Sequence, residues 1–252
     1  MAPLPPLAAY ALRLGDDSLI LGQRLSEWCG HAPQLEIDLS LANVALDLIG
    51  QATHCLAYAG EIEADGRDAD ALAFKRDVMD FTNCLLVEQP NGDFAQTMAR
   101  QFLFSTFQHA FLQQLAASTD ERLAAIAAKA VKEADYHAQI ACDWVIRLGD
   151  GTEESRARMV AGLDWMWRFA GELFDMDALE TELAGQGVAV DRAALRPEWD
   201  ARINAVLAEA TLERPGEHRP LLGGRNGHHS EHLGHLLSQM QFLQRAYPGA
   251  SW

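Results

Sequence analysis

An all-α fold built on two antiparallel pairs of long helices is predicted by three features of this 252-residue chain. Apolar residues recur every three or four positions over long stretches, the period of a helix with one buried face. Short turn signals join these stretches in pairs, and a longer irregular connection separates the pairs. No alternating apolar and polar run of the kind a strand needs is seen.

Taken in order, Pro5 and Pro6 open a first helix that runs to about Cys29, and Gly30, His31, Ala32 and Pro33 make the turn. A second helix follows from about Gln34 to Gly60, roughly 40 Å long at 1.5 Å per residue. Ile37, Leu41, Val44, Leu48, Ala52, Cys55 and Ala59 form its apolar face. Residues 61–92 are a less regular connection with one or two short helices, closed by Gln89-Pro90-Asn91-Gly92. A third helix covers about Asp93 to Ala117, and Ser118-Thr119-Asp120 caps the fourth. The fourth carries Leu123, Ile126, Ala130, Ala134, His137, Ala141, Trp144 and Leu148 on one seam and stops at Gly149. That spacing is close to 3.5, as in helix bundles.

A fifth helix is expected over about Glu153–Phe174, continuing briefly to Leu183, then a loop from Gly185 to Pro197 and a sixth helix over about Glu198–Glu213. Residues 214–227 are rich in Gly, Pro and Arg, and a last helix spans about His228–Ala246. Two hairpins with one long crossover are the ferritin-like arrangement, with an up-down bundle as the nearest alternative. The expectation is a single domain over 1–252, with a core bundle at about 6–149 and accessory helices at about 153–246.

The formal net charge of −16 repels phosphate backbones and anionic lipid, so neither nucleic acid nor a membrane surface is expected as a partner. The four cysteines (Cys29, Cys55, Cys84, Cys142) contain no C-x-x-C pair, and three of them sit inside helix-like patterns as small buried hydrophobes, which suits a reducing cytoplasm. The first fourteen residues lack the pattern of a signal peptide, and no later stretch approaches a membrane span.

Ferritin-like bundles commonly hold two metal ions, ligated by one Glu from each of two helices and a Glu-x-x-His from each of the other two. Residues three apart share a helix face, which lets carboxylate and imidazole converge. Here His137 lies on the seam of the fourth helix, but Ala134 stands where its carboxylate should be, and Glu133 and Asp135 point elsewhere. The second helix offers Leu48 and Gln51 at the equivalent spacing, while Asp47 is followed three residues on by Gly50, and His54 is too far from Asp47 to share one metal. The third helix has no Asp or Glu from Phe94 to Thr119. On the first, Asp16, Asp17 and Glu27 are read equally as surface or core. At best Glu27 and His137 survive of six ligands, so no catalytic residue, metal site or cofactor is expected. Leu48, Gln51, Ala134 and His137 are degenerate di-metal positions.

Four other features have two readings each. His228, His229, Glu231, His232 and His235 are read as an exposed charged helix start, with a surface metal as the sharper alternative. Gly223-Gly224-Arg225-Asn226-Gly227 lacks the Lys-Ser/Thr of a P-loop and reads as a flexible turn. Trp165, Trp167, Phe169 and Phe174 read as core, with part of the group facing a partner as the alternative. Asn43, Asp47, Gln51 and His54 read equally as a buried polar network or a polar face.

Several runs carry a resemblance. Leu21-Gly22-Gln23-Arg24-Leu25, Glu27-Trp28-Cys29-Gly30-His31 and Ala45-Leu46-Asp47-Leu48-Ile49-Gly50-Gln51-Ala52 resemble the structural C subunits of ring 1,2-phenylacetyl-CoA epoxidases. So do Leu86-Val87-Glu88-Gln89-Pro90-Asn91-Gly92, Lys132-Glu133 with Tyr136-His137, Trp167-Arg168-Phe169, Ser230-Glu231-His232-Leu233-Gly234, Met240-Gln241 and Leu243-Gln244-Arg245. The resemblance covers nearly the whole chain and implies a bacterial phenylacetate-degradation complex. In that family a related A subunit holds the di-iron centre, a reductase supplies electrons from NADPH, and the C subunit pairs with the A subunit. The A subunit's motifs resemble Asp-Glu-x-Gly-His and Lys-Glu-Glu-x-Phe-His. The matching stretches here, Asp47-Leu48-Ile49-Gly50-Gln51 and Lys132-Glu133-Ala134-Asp135-Tyr136-His137, lack the same ligands. The resemblance therefore implies a non-catalytic scaffold paired with a di-iron A-type subunit, with self-association of the lone chain also open. A metal-dependent oxygenase acting in its own right is the alternative.

Overall fold

The structure is a computed structural model that describes residues 4–250, apart from 64 and 217. Among the described residues every regular element is helical, as expected for the ferritin-like class. The helices are α1 (Pro6–Ser26), α2 (Leu35–Glu63), α3 (Ala69–Phe74), α4 (Leu85–Glu88), α5 (Phe94–Leu115), α6 (Glu121–Gly149), α7 (Glu153–Ala170), α8 (Ala178–Gly185), α9 (Arg196–Glu209), α10 (Glu231–Met240) and α11 (Phe242–Ala246). Two compact units are formed, one from Met1–Gln89 with Gly223–Trp252, the other from Pro90–Leu222.

In the first unit α1 and α2 form an antiparallel hairpin. Pro6 starts α1, where its missing N–H is of no consequence, and Gly30 takes a left-handed conformation in the turn (φ 79°). The two helices approach closely because α1 carries Gly15 and Gly22, seven residues apart. A Cβ on Gly15 would stand 2.7 Å from Leu56 Cδ2, and one on Gly22 would stand 3.1 Å from Ile49 Cγ1. Leu12, Leu19 and Leu25 of α1 and Leu41, Leu48 and Leu56 of α2 are buried. The C-terminal segment returns to this unit and buries Leu233, Leu236 and Leu237 of α10. The sequence-predicted accessory region is therefore divided: α7 to α9 belong with α5 and α6, and α10 and α11 with α1 and α2.

In the second unit α5 and α6 are the antiparallel pair, each started by an aspartate. Asp93 Oδ1 accepts from the Gln96 amide (2.9 Å) and Asp120 Oδ1 from that of Leu123 (2.8 Å). Gly162 lets α7 come close to α5, since a Cβ there would lie 2.9 Å from Gln96 Cα. Trp199 of α9 is fully buried and donates its indole N–H to the Leu103 carbonyl (3.0 Å). Phe174 packs edge-on against both Trp199 and Phe107.

The expected fifth helix stops being α-helical at Ala170 and tightens into a 3-10 turn over Gly171–Phe174. Arg192 holds this turn: it donates to the Glu172 and Leu173 carbonyls and forms a buried ion pair with Glu180. The last helix starts at Glu231 rather than His228 and breaks at Gln241, whose side chain donates to the carbonyls of Ala73 and Arg76 (3.0 Å each).

Candidate functional site

The degenerate di-metal positions are all buried. In the first unit Leu48 and Gln51 lie on the covered side of α2; in the second, Ala134 and His137 lie on that of α6. What they offer chemically is one amide in the first unit and one imidazole in the second. Glu133 is half-buried, and Asp135 is exposed beside His109 (3.7 Å). Helix α5 is buried along most of its circumference and has no carboxylate between its Asp93 cap and the turn that precedes α6. Its buried polar side chains are Thr97, Arg100, Gln101, Ser105, Thr106 and Gln108. Among the described residues no group of three or more His, Cys, Asp or Glu side chains is placed to share an ion.

The polar line on α2 is not a single buried network: Asn43 and His54 are exposed, Asp47 is half-buried and only Gln51 is buried. The aromatic group divides as well. Phe169 and Phe174 are core, whereas Trp165 stays partly exposed with the Arg168 guanidinium 4.6 Å over its ring. Cys55, Cys84 and Cys142 are buried and Cys29 is exposed. Burial pushes the Cys55 thiol up to about 12, so it is an inert core residue.

The carboxylates of α1 that the sequence leaves between surface and core are both buried, and each is held by an arginine. Asp16 accepts both terminal nitrogens of Arg76 and, from Thr82, the amide (2.8 Å) and hydroxyl (3.0 Å). Arg76 also stacks over the Phe81 ring at 4.1 Å. Asp17 accepts two bonds from Arg225 (3.0 and 2.7 Å) and the Cys84 amide (2.7 Å). Glu27 caps the end of α1 and pairs with Arg24 at 2.9 Å. The three acidic side chains of α1 and its C-cap are thus engaged by guanidinium groups, in bidentate geometry for Asp16 and Asp17.

The glycine-rich piece is not a loose turn. Arg225 is buried, and Gly224 sits so close to the chain opposite that a Cβ would stand 2.2 Å from the Asn83 carbonyl oxygen. Only glycine permits that approach. Nor is the whole histidine cluster exposed. The His229 side chain is 1% exposed and bridges Glu88 Oε2 (2.7 Å, from Nδ1) and the Phe81 carbonyl (2.8 Å, from Nε2). Glu88 also accepts the Ser230 amide (2.6 Å) and the Asn83 side-chain amide (2.9 Å). Arg24 completes the cluster by donating to the carbonyls of Glu88 and His232. His228 and His235 are exposed and His232 is half-buried.

Burial lowers the pKa of His229, but the hydrogen bond and charge of Glu88 outweigh it. The Phe81 carbonyl and the charge of Asp16 add to this, so the imidazole stays protonated above its ordinary value. The cluster is closed: Asp16, Asp17 and Glu88 each accept from two or more donors, which suits a structural lock between the C-terminal segment and α1.

No described helix is long and apolar enough to cross a membrane. The chain is 52% identical over 246 residues to the C subunit of the 1,2-phenylacetyl-CoA epoxidase of Escherichia coli (strain K12), covering 98% of this chain and 99% of that one. A family model described as phenylacetic acid catabolic protein matches residues 2–252, and the chain belongs to that family.

Proposed function

We propose that this chain is the non-catalytic structural subunit of a multicomponent phenylacetyl-CoA epoxidase of aerobic phenylacetate degradation, acting in the cytoplasm. In this reading it pairs with the catalytic di-iron A-type subunit and holds it in active form. The observation that carries the reading is α5, a buried helix without a carboxylate. A di-iron centre needs carboxylates to neutralise its charge and to bridge the ions. Leu48, Gln51 and Ala134 are further positions without a carboxylate, and Asp16 and Asp17 are committed to Arg76 and Arg225. The identity to an epoxidase C subunit over almost the full length supports the same place in a complex.

The test is to purify the A-type subunit with and without this chain and to assay phenylacetyl-CoA epoxidation with the reductase present. Activity or solubility that depends on this chain is expected. Full activity of the A-type subunit alone would remove the scaffold role, and two tightly held irons in this chain would favour an oxygenase acting in its own right.

A further inference from the structure

We infer that the outer face of α2 is a docking seam for a single helix of a different protein, and that this helix carries an apolar stripe flanked by Lys or Arg. The inference rests on the pairing role proposed above and goes on to name the surface and the chemistry of what covers it.

Leu35, Leu39, Ala42, Leu46 and Ile49 follow one another along α2 at spacings of four, three, four and three, with Ile49 at the edge of the row, where its Cγ1 also faces Gly22 of α1. That alternation averages 3.5, the repeat of a seam into which a second helix packs knobs into holes. Leu35, Leu39 and Leu46 are 71%, 57% and 66% exposed, while Ala42 and Ile49 are half-buried. The hairpin with α1 does not need these leucines, because Ile37, Leu41, Val44, Leu48 and Leu56 already form the buried face of α2. Three exposed leucines on one helix, in register with a coiled-coil repeat, mark an interaction surface rather than scattered apolar residues.

Charge selects the occupant. Over its 29 residues α2 has no Lys or Arg. Glu36 and Asp38 flank Leu35 and Leu39, and Asp47 follows Leu46. A second copy in parallel would set these acids against themselves, and an antiparallel copy would meet no cation on the same helix. Two copies would also combine net charges of −16 each. A helix with Lys or Arg beside its apolar stripe satisfies the seam and its acidic edges together, as flanking charges do in choosing coiled-coil partners.

The experiment measures association of the full chain with the A-type subunit by sedimentation and by titration. It compares wild type, Leu39→Asp with Leu46→Asp, Glu36→Lys, and a control pair of exposed apolar residues in the other unit, Val160→Asp with Leu221→Asp. The seam pair should weaken binding by about tenfold or more, and the control pair should stay within about twofold of wild type. Glu36→Lys should weaken binding and flatten its salt dependence. Circular dichroism checks the fold, and Leu39→Gln with Leu46→Gln replaces the Asp pair if that pair unfolds. Wild-type binding by the seam variants would overturn the inference and leave the pairing role standing on another surface. No association by the wild-type chain would overturn both. A homodimer of the lone chain that the seam pair dissociates would give the seam to a second copy and overturn the choice of partner.

Discussion

Nδ1 of His229 lies 2.7 Å from Glu88 Oε2 while Nε2 of the same ring lies 2.8 Å from the Phe81 carbonyl oxygen. A carbonyl and a carboxylate both accept, so the ring satisfies both only by donating from both nitrogens, which is the imidazolium form. Because the folded pKa is raised above the ordinary value of about 6.5, this pair's stabilisation is fully present below about pH 6.5. It is lost as pH rises through the folded pKa.

The chain should therefore melt at progressively lower temperature on the alkaline side of that window. His229→Gln should be less stable than wild type at pH 6 by roughly 1–3 kcal/mol, since a charge-assisted hydrogen bond is removed. The gap should narrow as pH rises. Thermal melts of both proteins at several pH values check this, and a gap that is constant with pH would contradict it.

Asp17 and Arg225 pose the problem of a buried pair broken on one side. Arg225→Met leaves the Asp17 carboxylate with only the Cys84 amide, and should cost about 3–5 kcal/mol. Adding Asp17→Leu should recover part of that loss, because the stranded charge is gone. Urea unfolding of the single and double variants reads the coupling, and strictly additive losses would show that the pair acts as two independent groups.

How much of this was legible in the sequence depends on the range of the interaction. The long helices, their starts at Pro6, Asp93 and Asp120, and the carboxylate-free inner positions of α2 and α6 follow from neighbours within a few residues, and periodicity reports those. The ion pairs do not: Asp16 and Arg76 are 60 positions apart, Glu88 and His229 141, and Asp17 and Arg225 208. Nothing in the local pattern of Gly223 to Gly227 distinguishes a loose turn from one pressed against Asn83. A signal was present in α1, where two adjacent aspartates interrupt a mostly apolar run. Adjacent helix positions point about 100° apart, so both cannot sit at the centre of one solvent face.

Two glycines with opposite surroundings give a matched pair. At Gly224 a methyl would overlap the Asn83 carbonyl, so Gly224→Ala must shift the backbone and should cost on the order of 1–3 kcal/mol. At Gly50, within α2, a Cβ meets nothing within 4 Å. There Gly50→Ala should stabilise by about 0.5–1 kcal/mol, through helix propensity alone. Denaturant midpoints of the two variants should move in opposite directions.

The face of α6 that carries His137 has an alanine where a carboxylate would stand. Ala134 is fully buried on α6 and stands three residues before His137, where a Glu would share its face. Ala134→Glu supplies that group but no bridging partner on α5, which has no Asp or Glu. A buried carboxylate without a cation or a set of donors costs several kcal/mol or takes up a proton, and the larger side chain also overfills a site now held by a methyl. The variant should be less stable than wild type by about 2–5 kcal/mol and should bind well under one equivalent of iron when purified from iron-supplemented cells. Metal analysis and thermal melts with and without added ferrous iron are the measurements. A higher melting temperature accompanied by tight iron would mean that enough of the ligand set survives to hold a metal, and the scaffold reading would give way to that of a divergent oxygenase.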